Sequence, residues 1–270
     1  ANLVPIFHAL RGTGAPDDAL FVDGHPSELN LLMRSGGLDL SPNSSIEYAV
    51  RPDLYLLCPG ISIASRTRVM SVLLLSNVPL REIPSDPIAV TGASATSVAL
   101  LEILLGESLG RRNPLVRTDL RPEEALREYP AYLAIGDEAI RASVDGVAPH
   151  VTDLGEWWNR ETGKPFIFSL WIAARDAWEG PRRAPLSRFA AALIEAKRSV
   201  QESIRCGEYP WGGPDWVPAK FREDYWHCLS YDLDEEASEG LSLFYRLAEK
   251  YGRIPSAPAL RFIGTAPSKP

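Results

Sequence analysis

Small hydroxyl residues separate a short apolar run from an amphipathic helix in the segment 86–105. Ser94 is a good N-cap for that helix, and Thr96 and Ser97 fall in its first turn. The free N–H groups and the positive dipole end of such a helix favour a carboxylate or a phosphate, and neighbouring hydroxyls add hydrogen-bond donors without adding charge. The segment therefore predicts an anion site, with a plain capped turn between a strand and a helix as the alternative.

The segment 38–48 has a similar build. A short predicted strand leads through Asn43, Ser44 and Ser45 into a helix that begins near Ile46. In open α/β sheets, ligands lie beyond the carboxyl ends of the strands, where the turns from strand to helix converge. The two polar turns are therefore expected to face each other across one site.

The composition is that of an ordinary globular protein, with 270 residues, 45% of them hydrophobic and 23% charged. This length suits one large domain or two lobes of roughly 100 to 150 residues. The net charge of −7 argues against a surface for nucleic acid or for an anionic membrane, because both need a basic face. No apolar run approaches the roughly 20 residues of a membrane span. An anionic small molecule would therefore be bound through local dipoles.

Three cysteines, Cys58, Cys206 and Cys228, are widely spaced and form no Cys-x-x-Cys pair. The pattern predicts neither a metal site nor a disulfide framework, and it fits a reducing cytoplasm. The sequence begins at Ala1 without the strand that such a first turn would follow. We therefore expect further residues upstream of Ala1, and a removed signal peptide stays open as an alternative.

Apolar runs alternate with helical patterns, which is typical of an α/β fold. Strands are predicted near residues 38–40, 55–58, 69–76, 88–91, 131–135 and 166–170. Helices are predicted at residues 26–35, 45–50, 95–105, 123–128, 137–142 and 155–162. From Ser187 onward the pattern is almost wholly helical, with helices predicted at residues 188–205, 218–230 and 235–251.

Two proline-rich stretches, residues 76–87 and 179–185, are plausible boundaries between lobes. They predict a discontinuous first lobe of residues 1–85 plus 175–270 and an inserted second lobe of residues 86–174. Two crossings of the chain would then leave a cleft, and clefts between lobes are a preferred place for small-molecule sites.

The chain resembles the chorismate dehydratases of the futalosine route to menaquinone along nearly its whole length. The resemblance rests on segments in the family's order, which are residues 2–7, 41–48, 71–76, 94–101, 135–139, 153–157 with 162–168, and 239–245. It implies a fold like that of the type II periplasmic binding proteins, with two α/β lobes around an interlobe cleft. It also implies a carbon–oxygen lyase that removes water from chorismate to give 3-[(1-carboxyvinyl)oxy]benzoate, with no metal or organic cofactor.

Asn2 matches the family's site asparagine and is the predicted catalytic residue, because its amide can donate to and accept from a substrate hydroxyl. A plain turn residue before Pro5 is the alternative. The predicted substrate-binding residues are Asn43, Ser44, Ser45, Ser71, Ser94, Ala95, Thr96, Ser97 and Phe168. Some of the hydroxyls could be helix caps only, and Phe168 could pack in the core instead of lining an apolar wall.

The proton acceptor stays open among His8, Glu47, Asp137 and the substrate's own carboxylate. Glu47 and Asp137 each lie near a predicted helix N-terminus, where an acidic residue is expected in any case. Two other functions fit the same pattern. One is the sister enzyme of the pathway, which makes 1,4-dihydroxy-6-naphthoate, and the other is a non-catalytic binding protein for an aromatic or dicarboxylate anion. The absence of a visible signal segment argues against the binding protein.

Overall fold

The structure is a computed structural model that describes residues 2–13, 16, 18–24, 26–92, 94–213 and 215–264. Its helices are α1 Val4–Thr13, α2 Pro26–Arg34, α3 Ser45–Val50, α4 Ala95–Leu109, α5 Pro122–Glu128, α6 Asp137–Val144, α7 Leu154–Thr162, α8 Arg175–Glu179, α9 Arg183–Cys206, α10 Ala219–Cys228 and α11 Glu235–Lys250. Its strands are β1 Leu40–Ser44, β2 Tyr55–Ser65, β3 Val72–Ser76, β4 Ile88–Val90, β5 Leu115–Arg117, β6 Ala131–Ile135, β7 His150–Asp153, β8 Phe166–Ala174 and β9 Leu229–Ser230.

The strands form two sheets. The first sheet has the order β1-β8-β2-β9, and all of its described pairs are antiparallel. The second sheet has the order β5-β4-β6-β3-β7, in which β4 runs parallel to β5 and β6 while β3 runs antiparallel to β6 and β7. The predicted α/β class therefore takes the form of one antiparallel sheet and one mixed sheet, with helices packed against them.

The pairing of the strands changes the predicted lobe boundaries. The chain crosses from the first sheet to the second between β2 and β3, and it returns between β7 and β8. Strand β3 was predicted to lie in the lobe 1–85, yet it pairs with β6 and β7 of the second sheet. Strand β8 was predicted to lie in the lobe 86–174, yet it pairs with β1 and β2 of the first sheet. The proline-rich stretch 76–87 is instead a connection within the second sheet, because prolines mark turns inside a lobe as readily as boundaries between lobes.

Helix α4 lies in the main apolar core. Its Leu100, Leu101, Leu104 and Leu105 are all buried, so this helix presents apolar residues on more than one face. The buried cluster that contains them draws on strands of both sheets. Along β3, Val72 and Leu74 join this cluster, whereas Leu73 and Leu75 join a smaller cluster with α5 on the other face of the second sheet.

Helix α11 joins the first-sheet side of the molecule to α4. Its C-terminal Lys250 and the following Tyr251 both bond Glu107 on α4, each at 2.7 Å. Gly106 permits this approach, because a Cβ there would lie 2.0 Å from the Tyr251 hydroxyl. The side chain of Arg253 also pairs with Glu102 on α4.

Several elements differ from the sequence prediction. Strand β1 spans Leu40–Ser44 instead of 38–40, so Asn43 and Ser44 lie in the strand itself. Strand β3 begins at Val72 instead of Val69, which leaves residues 66–71 as the crossing. Helix α10 ends at Cys228, and the two residues after it form β9 against β2. The short edge strands β5 and β7 were not predicted, because each has too few residues to show a period.

Candidate active site

The first turn of α4 meets the start of α3. The hydroxyl oxygen of Thr96 accepts a hydrogen bond from the backbone nitrogen of Ile46 at 3.0 Å. It also lies 2.5 Å from the Ser44 hydroxyl and 3.3 Å from the Ser45 hydroxyl. Ser45 and Thr96 are fully buried, whereas Ser44 is half-buried. The structure therefore brings the two predicted polar turns together, and Thr96 supplies the hydroxyl that joins them.

The N-terminus of α4 is capped as the sequence predicted. The hydroxyl oxygen of Ser94 accepts from the Ser97 backbone nitrogen at 3.3 Å and lies 3.2 Å from the Ser97 hydroxyl. Ser97 is buried, Ser94 is half-buried and Ala95 is exposed. Ser97 therefore stabilises the cap, while Ser94 and Ala95 are accessible at the helix start.

Asn43 contacts a different helix from its neighbour Ser44. Its side-chain amide donates to the Asn30 side chain on α2, and its backbone carbonyl accepts from the Ser169 hydroxyl at 2.7 Å. The Asn43 side-chain oxygen is buried and has no partner among the described residues. Successive side chains of a strand point to opposite faces, so Asn43 binds α2 while Ser44 binds α4. The structure thus separates Asn43 from the hydroxyl cluster.

Ser71 lies in the crossing 66–71 and is held by a tyrosine. The Tyr225 hydroxyl on α10 donates to the Ser71 hydroxyl oxygen at 3.3 Å, and the Ser71 hydroxyl donates to the Val69 carbonyl at 3.4 Å. Burial raises the pKa of Tyr225, so its phenol stays protonated and remains a donor. A small cavity of about 20 Å³ lies beside Tyr225 and reaches Asp137 at the start of α6.

Asn2 is held by a second buried tyrosine. The Tyr231 hydroxyl donates to the Asn2 backbone carbonyl at 2.8 Å, and burial raises the pKa of Tyr231 well above its ordinary value. Asn2 itself is half-buried. Tyr225 and Tyr231 were not among the predicted site residues, and no motif marked them, because their partners lie 154 and 229 positions away in the sequence.

Phe168 belongs to an aromatic cluster. Its ring lies 4.7 Å from that of Phe166, and the Phe166 ring in turn contacts Trp158 and Phe244. Phe168 is half-buried, unlike Phe166. These contacts account for Phe168 as a packing residue, and a role as an apolar wall stays a prediction.

The three candidate proton acceptors differ in their surroundings. The buried Glu47 accepts two bonds from Arg34, at 2.8 and 2.6 Å, and one from the Tyr55 hydroxyl at 3.1 Å. His8 is exposed on α1, and Asp137 is exposed and lines the cavity beside Tyr225. Glu47 is therefore engaged in an ion pair, and Asp137 lies nearest to the residues that hold Ser71.

The described residues contain no group of three or more His, Cys, Asp or Glu side chains that could hold a metal ion. All three cysteines are free, with Cys58 buried. Among the helices of the described part of the chain, none combines the length and the apolarity that crossing a membrane requires.

Solved structures share this fold. A crystal structure of a protein from Archaeoglobus fulgidus aligns with a TM-score of 0.64 and 19% identity, covering 94% of this chain and 95% of that chain. The periplasmic aliphatic sulphonate binding protein of Escherichia coli aligns with a TM-score of 0.61 and 16% identity, covering 95% and 90%. The chain therefore has the predicted fold, that of the type II periplasmic binding proteins.

Sequence relatives then define the family. The family model described as menaquinone biosynthesis matches residues 1–250. The chorismate dehydratase of Thermus thermophilus is 33% identical over 283 residues, covering 96% of this chain and 94% of the relative. The 1,4-dihydroxy-6-naphtoate synthase of the same organism is 28% identical, covering 87% and 85%. This protein belongs to the menaquinone biosynthesis family, which confirms the family resemblance drawn from the sequence.

Proposed function

We propose that this protein is a chorismate dehydratase, a carbon–oxygen lyase that converts chorismate to 3-[(1-carboxyvinyl)oxy]benzoate in menaquinone biosynthesis. The observation that carries the proposal is the 33% identity to the Thermus thermophilus chorismate dehydratase over 96% of this chain. The match of the menaquinone biosynthesis family model supports the same pathway. The contact between Ser44 and Thr96 adds support, because it joins a polar turn to the N-terminus of α4, where a carboxylate is favoured.

The reaction removes the ring hydroxyl together with a proton from the neighbouring ring carbon. The electron pair of the broken C–H bond forms the C=C bond that makes the ring aromatic, and the hydroxyl and the proton leave as water. Because aromatisation favours this step, the protein mainly needs to orient a dicarboxylate, exclude water and assist the departure of hydroxide.

Burial assigns different roles to the hydroxyl residues in this proposal. Ser45, Thr96 and Ser97 are buried, so we assign them to holding the two turns in place. Ser44 and Ser94 are half-buried and Ala95 is exposed, so we assign the two hydroxyls and the Ala95 backbone N–H to binding a substrate carboxylate beside the start of α4.

Two more predicted site residues contact the substrate in this proposal. The Asn2 side-chain amide donates to the departing hydroxyl, while its backbone is held by Tyr231. The Ser71 hydroxyl, held by Tyr225, exchanges its 3.4 Å bond to the Val69 carbonyl for a bond that it donates to the second polar end of the substrate.

The surroundings of the candidate groups narrow the choice of proton acceptor. Glu47 is engaged by Arg34 and Tyr55, which leaves His8, Asp137 and the substrate's own carboxylate as acceptors. The variants Asp137→Asn and His8→Gln separate them, because each change stops turnover only if the replaced residue takes the proton. If the substrate's carboxylate takes it, both variants keep the rate of the wild type.

The experiment is to incubate the protein with chorismate and to follow the product by mass. We expect a product lighter than chorismate by one water, formed without an added metal or cofactor. The second candidate is the naphthoate synthase, which the 28% identity to that enzyme of Thermus thermophilus supports. Turnover of that enzyme's larger substrate, with chorismate left unchanged, would favour the second candidate, and binding of chorismate without any turnover would favour an anion-binding protein.

We infer that the partner of this protein is a small anionic substrate and that neither nucleic acid nor a membrane is involved. We place the reaction in the cytoplasm, which the three free cysteines support.

A further inference from the structure

The carboxylate of Asp153 bonds both connections between the two sheets, the outgoing crossing at residues 66–71 and the returning crossing at residues 154–165. Asp153 ends β7 and caps α7, where its Oδ1 accepts from the Gly155 nitrogen at 2.9 Å and the Glu156 nitrogen at 3.1 Å. Its Oδ2 accepts from the Met70 nitrogen at 2.6 Å, and the Val69 nitrogen donates to both oxygens, at 3.0 Å to Oδ2 and at 3.1 Å to Oδ1. Val69 and Met70 belong to the outgoing crossing, whereas Gly155 and Glu156 belong to the returning one. The same side chain therefore fixes the relative position of the two connections.

The two crossings approach each other more closely than most side chains permit. A Cβ on Gly155 would lie 2.6 Å from the Ser65 hydroxyl and 3.1 Å from the Val69 nitrogen. Met70 has a φ of 59°, in the left-handed region that residues other than glycine rarely adopt. A left-handed Met persists only where its surroundings hold it, and the bond from its nitrogen to Asp153 is one such contact.

This arrangement fixes the backbone immediately before Ser71. Asp153 holds Met70, the next residue is Ser71, and the Tyr225 hydroxyl holds the Ser71 side chain from α10. Strand β3 of the second sheet begins one residue later. A shift at Met70 would therefore move Ser71 and would also change how the second sheet, with α4 and its polar turn, sits against β1.

We propose that Asp153 is a positioning residue for the dehydratase reaction: through its bonds to both crossings it sets Ser71 and the orientation of the two sheets that carry the site. The kinetic part of this inference rests on the proposed function. The structural part, that Asp153 holds the outgoing crossing at Val69 and Met70, does not.

Three variants separate the two roles of Asp153, which are its bonds to Val69 and Met70 and its capping of α7. In Asp153→Asn the remaining oxygen can still cap α7, because Asn caps helices as well as Asp. The new NH₂ group faces the Met70 nitrogen, and because both groups are hydrogen-bond donors, the bond to Met70 is lost. Asp153→Ser also keeps a cap and is too short to reach Met70. Gly155→Ala leaves the carboxylate intact and pushes the crossings apart.

For all three variants we expect kcat on chorismate to fall at least about tenfold, as small misplacements of reacting groups do. KM should change less than kcat. Leu126→Ala, in the smaller apolar cluster on the far face of the second sheet, is the control, because it lowers the unfolding temperature without touching a crossing. Its kcat should match the wild type.

Amide hydrogen exchange gives a readout that does not depend on the reaction. In Asp153→Asn, exchange at Met70 should become faster while Gly155 and Glu156 keep their protection, since the remaining oxygen still caps α7 and can still accept from Val69. Wild-type protection at Met70 in that variant would overturn the inference, and so would a kcat equal to that of the wild type. If Asp153→Asn fails to fold, Asp153→Ser and Gly155→Ala decide in the same way. If the wild type leaves chorismate unchanged, the proposed function fails, and the exchange experiment alone decides the role of Asp153.

Discussion

The hydroxyl oxygen of Thr96 lies 3.0 Å from the backbone nitrogen of Ile46, so a residue of α4 caps the helix that follows β1. Ile46 follows a strand of the first sheet, whereas Thr96 follows a strand of the second. A cap is usually supplied by the residue just before the helix, and here Ser44 makes no such bond to the backbone of its own helix. The bond therefore joins the two sheets at the candidate site.

Thr96→Val should destabilise the fold. Valine has nearly the shape of threonine but leaves the buried Ile46 N–H without an acceptor, which typically costs on the order of 1 to 3 kcal/mol of unfolding free energy. Urea denaturation measures the difference. Thr96→Ser is the matched variant, because it keeps the oxygen and should recover most of the loss. Equal stabilities for Thr96→Val and the wild type would show that this bond contributes nothing.

Asn2→Ala should slow the reaction more than it weakens binding. Its backbone is held by Tyr231, so truncation of the side chain should leave the unfolding temperature nearly unchanged. An amide that donates to the departing hydroxyl acts mainly in the transition state, and loss of one such donor typically costs about 3 kcal/mol. We expect chorismate to bind and kcat to drop by at least about tenfold. Asn2→Asp keeps the shape but removes the N–H donor, so it should be equally slow, and near-normal turnover of either variant would assign Asn2 to structure.

Arg34→Ala should unfold more easily than the wild type. Its partner Glu47 is 3% exposed, so removal of the guanidinium leaves a buried carboxylate with the Tyr55 hydroxyl as its remaining described donor. Loss of one partner of a buried pair costs about 3 to 5 kcal/mol, and we expect about 2 kcal/mol here, because Arg34 is itself 41% exposed. Adding Glu47→Gln to Arg34→Ala should recover part of the loss in a denaturation experiment. A double variant no more stable than Arg34→Ala would contradict this account.

The contact of Glu107 with Lys250 and Tyr251 should contribute to stability in a pH-dependent way. Hydrogen bonds from Lys250 and Tyr251 lower the pKa of Glu107 below its ordinary value. For an acid with a depressed pKa, the stabilisation is complete above the ordinary pKa and is lost as the pH falls through the lower, folded-state value.

The matching variant is Glu107→Gln. At neutral pH this change should lower the free energy of unfolding by on the order of 0.5 kcal/mol, since Glu107 is about one-third exposed and solvent weakens its pair with Lys250. The unfolding temperatures of Glu107→Gln and the wild type should therefore converge as the pH falls from the ordinary pKa of a glutamate through the lower folded-state pKa of Glu107. A difference that stays constant with pH would show that the charge of Glu107 does not matter.

Local chemistry made part of the site predictable. The cap at Ser94 and the position of Thr96 and Ser97 in the first turn of α4 follow from residues that are neighbours in sequence, and the structure has both. Asn43 and Ser44 were expected in one turn, yet they lie in β1, because a strand that pairs with β8 can include Pro42 and polar residues that single-sequence propensities disfavour.

Long-range partners could not be predicted in the same way. Asp153 precedes a helix that was predicted at residues 155–162, but its bonds to Val69 and Met70 join positions 84 and 83 residues apart. The tyrosines that hold Ser71 and Asn2 come from the helical C-terminal third, where nothing in the local pattern distinguishes them from core residues. Hydrophobic periodicity reports which side of an element is buried, and it does not report what that side contacts.

The bonds of α11 to α4 limit how this protein can admit a ligand. At its start, Asp234 and Glu236 hold Arg66 in the outgoing crossing, and at its end Lys250, Tyr251 and Arg253 hold α4. Because α4 follows β4 of the second sheet, a wide movement of that sheet away from the first would have to break the bonds of Lys250, Tyr251 and Arg253 to α4 together. These bonds oppose a wide separation of the two sheets, so we expect a ligand to enter while the contact between α4 and the end of α11 stays in place.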